Sequence, residues 1–141
     1  MKLELITLTG PKLQGDVYEV ILPTADGSIA VYYQHMPLVA TVIPGVIAVR
    51  HNKNDPDERV DIFATNGGVA EINGRAIRLL VDEADSDDEI VEADTRAALA
   101  RAEEMKENAK DQVELAKAQS MIDRQAVRLK VTELKHRRHR S

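Results

Sequence analysis

The feature that most constrains this chain is a change of composition near residue 90. After Val91 the sequence contains no glycine and no proline, and alanine, glutamate, lysine, arginine and glutamine dominate, all of which favour α-helix. Before that point, short apolar runs alternate with glycine, proline and asparagine turns, which is typical of an antiparallel sandwich or a flattened barrel. The sequence therefore predicts an all-β N-terminal sandwich followed by a helical C-terminal domain.

Residues 34–50 predict two strands at the centre of the β domain. His35-Met36-Pro37 is not helical, because a residue before proline is pushed towards extended geometry. Leu38 to Ile43 is apolar and β-branched, as in a buried strand, and Pro44-Gly45 ends that run before a second one at 46–49. We expect both strands to be covered on both faces by the rest of the first half of the chain.

Six further apolar runs predict strands in the first half of the chain. In the first of them Leu3 and Leu5 share one face, and a strand near Val20 should end at Pro23. Asn73-Gly74 is a strong hairpin signal for a type I′ turn, in which both central residues need positive φ. The six runs are 2–7, 17–21, 29–33, 60–64, 69–72 and 75–81.

The acidic stretch 82–89 (DEADSDDE) separates the two domains. Such a block repels itself, so it should stay solvated, and its charges suit the N-terminus of the helix that follows. It lacks the glycine and the terminal glutamate of a calcium-binding loop. We therefore predict a β-sandwich domain at 1–87 and a helical hairpin domain at 88–141.

Two helical stripes with a capping signal between them occupy the second half. Asp111 can cap a new helix while Glu114 reaches back, and Asn108 can end the preceding helix because asparagine tolerates left-handed geometry. The pattern predicts two antiparallel helices, with one continuous helix as the alternative. The stripes are Ala98, Ala102, Met105 and Ala109, then Leu115, Ala118, Ile122, Ala126 and Leu129.

The first helical stripe consists mostly of alanine. Alanine lets helices approach closely but hides little apolar area, and burial contributes only about 25 cal/mol per Å². Isolated helices of this length are marginal in water. We therefore expect the hairpin to dock weakly on the rest of the molecule, and to open or extend against a better partner.

Charge and missing motifs exclude several classes of protein. The formal net charge is −5, which argues against a general nucleic-acid binder. The chain has no cysteine, none of its four histidines has a second ligand at zinc-binding spacing, and Walker and nucleophile-elbow motifs are missing. We predict no enzyme, no metal site, no signal peptide and no membrane-crossing segment.

The cationic C-terminus at 135–140 (KHRRHR) is either a solvated end or a contact for an acidic protein surface.

Three features together resemble the epsilon subunit family of the F-type ATP synthase over nearly the whole chain. The stretch 25–29 (ADGSI), with His35-Met36-Pro37-Leu38 and Pro44-Gly45 after it, resembles the family's core signature, and residues 61–72 resemble its second signature. The third feature is the order of sandwich, acidic junction and alanine-rich hairpin. Tyr32-Tyr33-Gln34 departs from the family, which often has a proline and a small residue there.

The resemblance implies a ten-stranded sandwich with two antiparallel helices, and a non-catalytic rotor subunit in the central stalk of a proton- or ion-translocating synthase. Implied partners are the gamma subunit, the c-ring, and the alpha and beta subunits through the helices. No nucleic acid and no membrane insertion are implied, and the subunit would be peripheral at the cytoplasmic face of the inner (plasma) membrane. Contact residues by position would be Asp26, Ser28, His35 and Met36 towards the ring, and Lys135, Arg137, Arg138 and Arg140 towards alpha and beta.

In the family the folded hairpin permits hydrolysis and the extended hairpin blocks rotation. Some members bind ATP through the motif Ile/Leu-Asp-x-x-Arg-Ala, but here Ala126 stands at its arginine position, so a phosphate loses its fork-shaped partner. We therefore expect no cofactor; if a regulatory ATP does bind, Ile122, Asp123, Arg124 and Arg128 would hold it. An ATP-sensing module and an unrelated coiled-coil adaptor that dimerises through its helices are the alternatives.

Overall fold

A computed structural model describes residues 1–140, with side chains described as far as Arg138. It contains ten strands, two single-turn 3₁₀ helices at Asp57–Arg59 and Asp87–Glu89, and two α-helices. The strands are β1 (Lys2–Thr7), β2 (Gly10–Asp16), β3 (Glu19–Thr24), β4 (Gly27–Val31), β5 (Leu38–Val42), β6 (Gly45–Arg50), β7 (Asp61–Thr65), β8 (Gly68–Ile72), β9 (Ala76–Val81) and β10 (Asp85–Ser86). The helices are α1 (Glu92–Glu107) and α2 (Gln112–Arg140).

The strands form one curled sheet in the order β10-β7-β6-β3-β5-β8-β9-β1-β2, and β4 also pairs with β3. Strand β3 belongs to two layers, because Glu19 to Ile21 pair with β6 whereas Thr24 pairs with Val42 of β5. The sheet thus folds over into a sandwich, which confirms the predicted fold class. All pairs are antiparallel except β1 with β9.

The core between the layers is aliphatic and comes from alternate residues along the strands. Leu3 and Leu5 of β1 are buried there, as the alternation predicted, and Phe63 is the one aromatic ring in this core. The other large, fully buried side chains of this core are Leu22, Ile47, Ile77, Leu79, Val20, Val31 and Val49.

Several local predictions are wrong in detail. Strand β3 continues through Pro23, which pairs with Ser28, and β2 and β10 occupy stretches in which we predicted no strand. The β8–β9 hairpin is present, but only Gly74 has positive φ (89°), so its turn is not type I′. Instead the side chain of Asn73 accepts hydrogen bonds from the backbone N–H groups of Arg75 (3.1 Å) and Ala76 (2.9 Å).

Strands β5 and β6 differ in how they are covered. On β6, Ile47 lies in the sandwich core, whereas Val46 on the opposite face packs in a second cluster with α2. On β5 the outer face is open, and Val39 is 73% exposed. The expectation that both strands are covered by the first half of the chain is therefore wrong, because α2 supplies one cover and β5 has none.

The two helices are antiparallel, since Lys106 Nζ donates to Gln119 Oε1 (2.8 Å) near the turn and His136 meets Glu92 at the other end. Asp111 Oδ1 accepts from the N–H of Glu114 (2.8 Å), which confirms the predicted cap. Asn108 ends α1 with φ of −94°, so the left-handed exit was wrong. Over residues 1–140, neither helix combines the length and the apolar character that a bilayer crossing requires.

Candidate functional site

The most distinctive site is the contact between α2 and the sandwich. A small apolar cluster joins Val131, which is fully buried, to Ile62 and Ala64 on the outer face of β7. Val60 and Ile90 complete its buried part, and Val127 and Leu134 pack at its edge. This cluster shares no residue with the sandwich core, so the helix rests on the sandwich without entering it.

Ion pairs border this cluster on the side of the segment 82–92, which we call the acidic junction. The guanidinium of Arg124 donates twice to Glu83, from Nε to Oε1 (2.6 Å) and from Nη2 to Oε2 (3.0 Å). Arg128 pairs with Asp85, and Lys135 Nζ lies 3.0 Å from Asp88 Oδ1. The acidic stretch is therefore not the solvated linker that its composition predicted, because cations on α2 offset its repulsion.

The pairing shifts the pKa values of the groups involved. The hydrogen bond to Glu83 raises the pKa of Arg124, and the hydrogen bond to Asp88 raises the pKa of Lys135. Glu92 has a lowered pKa, first through its hydrogen bond to His136 and then through Arg96. Each shift favours the charged form of its group in the folded chain.

The acidic junction is itself fixed to the sandwich. Asp82 Oδ1 accepts from the N–H groups of Asn66 (3.2 Å) and Glu83 (2.6 Å). Glu89 forms a capping box with Ser86 and an ion pair with Lys12 of β2. The Lys12 hydrogen bond, followed by that of the Ser86 backbone, lowers the pKa of Glu89 to about 2. The carboxylates that face α2 are thus carried on an anchored segment.

The cationic C-terminus divides between inward and outward contacts. Lys135 faces Asp88 as described, and Arg138 Nη1 donates to the carbonyl oxygen of Val60 (2.8 Å). Arg137 is exposed. The side chain of Arg140 lies outside the described residues. Of the four predicted contact residues, Arg138 therefore touches the β domain and Lys135 the acidic junction.

The four residues predicted to hold ATP do not converge. Arg124 and Arg128 line a cavity of about 340 Å³ between the hairpin and the acidic junction, together with Arg101. Both arginines already bind carboxylates, and Asp123 instead accepts from Gln119 Nε2 (2.9 Å) on the exposed side of α2. Ile122 is half-buried and does not line this cavity. ATP binding remains a prediction.

The residues predicted to face the c-ring lie at two ends of one strand. Asp26 lies in the turn before β4 and Ser28 near its start, whereas His35 and Met36 lie in the loop after it. Five residues of strand span about 17 Å. Met36 is 71% exposed, and the ring of His35 is held by a 2.8 Å contact with the Met36 carbonyl oxygen. Their role in partner contact remains a prediction.

Sequence reasoning named Arg124, Arg128 and Lys135 for other roles, and it missed both Val131 and the contact that these four residues build. Arg124, Arg128, Val131 and Lys135 follow one another at spacings of four, three and four, which places them on one helix face. This helix face of three cations and one valine was the sequence signal for the contact, but a search for apolar periodicity alone does not find it. The partners of the three cations, about forty residues earlier in the sequence, carry no local signal at all.

Comparison with known proteins assigns the family. Residues 1–87 match the family described as ATP synthase, Delta/Epsilon chain, beta-sandwich domain. The ATP synthase epsilon chain of Laribacter hongkongensis is 32% identical over 136 residues, which is 96% of this chain and 91% of that relative. The ATP synthase epsilon chain of Sulfurihydrogenibium sp. is 35% identical over 89 residues, which is 63% of each chain.

A solved structure supports the same fold. A chain in the cryo-EM structure of the Euglena gracilis mitochondrial ATP synthase (OSCP/F1/c-ring, rotational state 1) is similar with a TM-score of 0.79 at 20% identity. The match covers 93% of this chain and 79% of that one. From the family match over the sandwich and the relative aligned along nearly the whole length, the chain belongs to the epsilon-chain family of ATP synthase.

Proposed function

We propose that this chain is a non-catalytic rotor subunit in the central stalk of an ATP synthase, and that its hairpin regulates ATP hydrolysis. One observation carries the proposal. The helices contribute no residue to the core between the sandwich layers, and they rest on its outer face through a separate small cluster. A hairpin attached in this way can leave while the sandwich stays folded, which is what a two-state regulatory element needs.

The proposed partners are the gamma subunit, the c-ring, and the alpha and beta subunits, with the protein peripheral at the cytoplasmic face of the membrane. Apolar side chains lie on the outer face of β5, β8, β9 and β1, and we propose that this face meets gamma. Val69, Leu80 and Ile6 are successive cross-strand neighbours, and Val39 lies on the same face of β5, opposite Glu71. Exposed apolar patches of this kind mark protein contacts.

The test compares assembled synthase carrying the full chain with synthase carrying a chain that ends at Glu89. The shortened chain should still co-purify with gamma, and ATP hydrolysis should rise several-fold because the blocking helix is gone. Unchanged hydrolysis would overturn the regulatory role and leave the rotor role standing. Loss of co-purification would overturn the rotor role.

Removing the hairpin also exposes Ile62 and Ala64 to solvent. A second variant therefore keeps the hairpin and holds it in place. The chain has no native cysteine, and Glu58 and Glu133 are exposed on neighbouring elements, the 3₁₀ helix before β7 and α2. A flexible bismaleimide joining Glu58→Cys to Glu133→Cys should hold the hairpin down and keep hydrolysis at the level of the shortened chain. The two single-cysteine chains, treated with the same reagent, are the matched controls.

A further inference from the structure

We infer that the acidic junction is an internal substitute for an acidic partner surface, so that the hairpin leaves the sandwich by exchanging one set of carboxylates for another. This inference rests on the proposed movement of the hairpin and names what controls it. The observation behind it is the set of pairs Arg124–Glu83, Arg128–Asp85 and Lys135–Asp88. The α2 cations that would meet an acidic partner are therefore already paired with carboxylates of their own chain.

The two segments have opposite charge. Residues 82–92 contain seven carboxylates and no lysine or arginine, whereas residues 124–138 contain six lysines and arginines and one carboxylate, Glu133. Complementary charge distributions of this kind determine which surfaces pair and how fast they associate more than they add to binding affinity. The acidic junction therefore holds α2 in one register on the sandwich without binding it tightly.

The centre of the contact is apolar. Val131 is buried between the cations Arg128 and Lys135 on the same helix face. A partner that covers this whole face offers carboxylates around a small apolar patch, as the acidic junction and β7 do here. A purely acidic surface competes for the cations alone and leaves Val131 exposed, so it should weaken docking without covering the face.

Within residues 124–138, Lys130 and Arg137 remain available while the hairpin is docked. Lys130 and Arg137 are exposed, and neither makes an ion pair within the part of the chain that the structure describes. An acidic partner can therefore meet these two residues first and then compete for Arg128 and Lys135. Exchange in this order avoids leaving the α2 cations unpaired.

Two of the three ion pairs are open enough to be screened, whereas the Arg128–Asp85 pair, whose side chains are 17% and 26% exposed, is more sheltered. The side chains of Arg124 and Glu83 are 43% and 27% exposed, and Asp88 is more exposed still. The Debye length falls from about 8 Å at physiological ionic strength to about 3 Å at 1 M salt. High salt should therefore release the hairpin, although the apolar cluster opposes release.

The experiment measures docking in the isolated full-length chain by single-molecule FRET between dyes at Glu58→Cys and Glu133→Cys. The high-FRET population, in which the two dyes are close and the hairpin is docked, should dominate at low salt and shrink at 1 M NaCl. Arg128→Asp places two carboxylates together and should raise the undocked population on the order of tenfold. Adding Asp85→Arg to that variant reverses the pair and should restore docking.

Lys130→Asp is the matched control, because it makes the same charge change on the same helix at a position without an ion pair. Circular dichroism of each variant checks that the sandwich stays folded. If Lys130→Asp undocks the hairpin as much as Arg128→Asp, or if the reversed pair fails to restore docking, the inference is overturned. The hydrolysis test of the shortened chain is independent of this result, so the two failures can be told apart.

Poly-L-glutamate is the probe for an acidic partner, with poly-L-lysine as its control. Poly-L-glutamate should increase the undocked population of the unaltered chain, and the reversed-pair variant should respond less because it has lost one α2 cation. If poly-L-glutamate has no effect, or if poly-L-lysine acts equally, exchange with an acidic surface is overturned.

Discussion

Replacing Val131 by alanine tests whether the apolar cluster, and not only the ion pairs, holds α2 on the sandwich. Val131 is fully buried in that cluster, and Val→Ala removes two methyl groups. At about 0.8 kcal/mol per buried methylene-sized group, the lost transfer free energy is about 1.6 kcal/mol, with a further cost for the cavity left behind. A change of that size raises the undocked population about fifteenfold.

Helix propensity works in the opposite direction and needs its own control. Alanine favours helix over valine by up to about 0.7 kcal/mol, so Val131→Ala also strengthens α2 as a helix. Val113 lies in the first turn of the same helix and is 78% exposed. Val113→Ala therefore carries the propensity gain without the packing loss, and the difference between the two variants isolates the packing term.

The assay is native-state hydrogen exchange read by mass spectrometry on peptides from α2, β1 and β9. Val131→Ala should speed exchange in the C-terminal half of α2 by about an order of magnitude relative to Val113→Ala, and should leave the β1 and β9 peptides unchanged. If the two variants behave alike, Val131 does not hold the helix down. If α2 and the sandwich peptides accelerate together, the hairpin does not open as a separate unit.

Two further changes probe the sandwich. Because the folded chain lowers the pKa of Glu89 from 4.5 to about 2, the stabilisation from its charge is present above pH 4.5 and is lost as the pH falls towards 2. Glu89→Gln should therefore be less stable than the unaltered chain near pH 6, and urea unfolding should show that gap closing near pH 2; a constant gap would contradict the assignment. In Gly68→Ala the added Cβ would lie 2.1 Å from the Leu80 carbonyl oxygen, so we expect a loss of several kcal/mol in urea unfolding or no folded protein. Gly10→Ala, whose Cβ meets nothing within 4 Å, should cost only the strain of its positive φ, about 1–3 kcal/mol, and equal losses at the two glycines would contradict the steric argument.

The sequence predicted elements whose signals are local. Alternation placed Leu3 and Leu5 in the core, and the spacing of Asp111 and Glu114 located the start of α2. Strand β2 was missed because its sequence, GPKLQGD, lacks alternation and contains turn residues, so only its pairing with β1 makes it a strand.

The acidic stretch was misjudged for a different reason. Composition describes how a segment interacts with itself, and by that measure 82–89 repels itself. The cations that neutralise Glu83 and Asp85 lie 41 and 43 residues further along the chain. Only the tertiary fold reveals such a pairing, and the same holds for Val46, whose cover proved to be α2.

The parallel pairing of β1 with β9 sets the order in which this protein can fold during its synthesis. Residues 2–6 pair with residues 76–80, so β1, which is synthesised before the other strands of the sandwich, finds its inner neighbour only when nearly the whole sandwich has been translated. Until then β2 is the only strand that can pair with β1, and the core around Leu3 and Leu5 is incomplete. Contacts that span so much sequence slow folding, because the chain entropy is lost before the contact is gained. The nascent chain is therefore most vulnerable to aggregation just before β9 emerges.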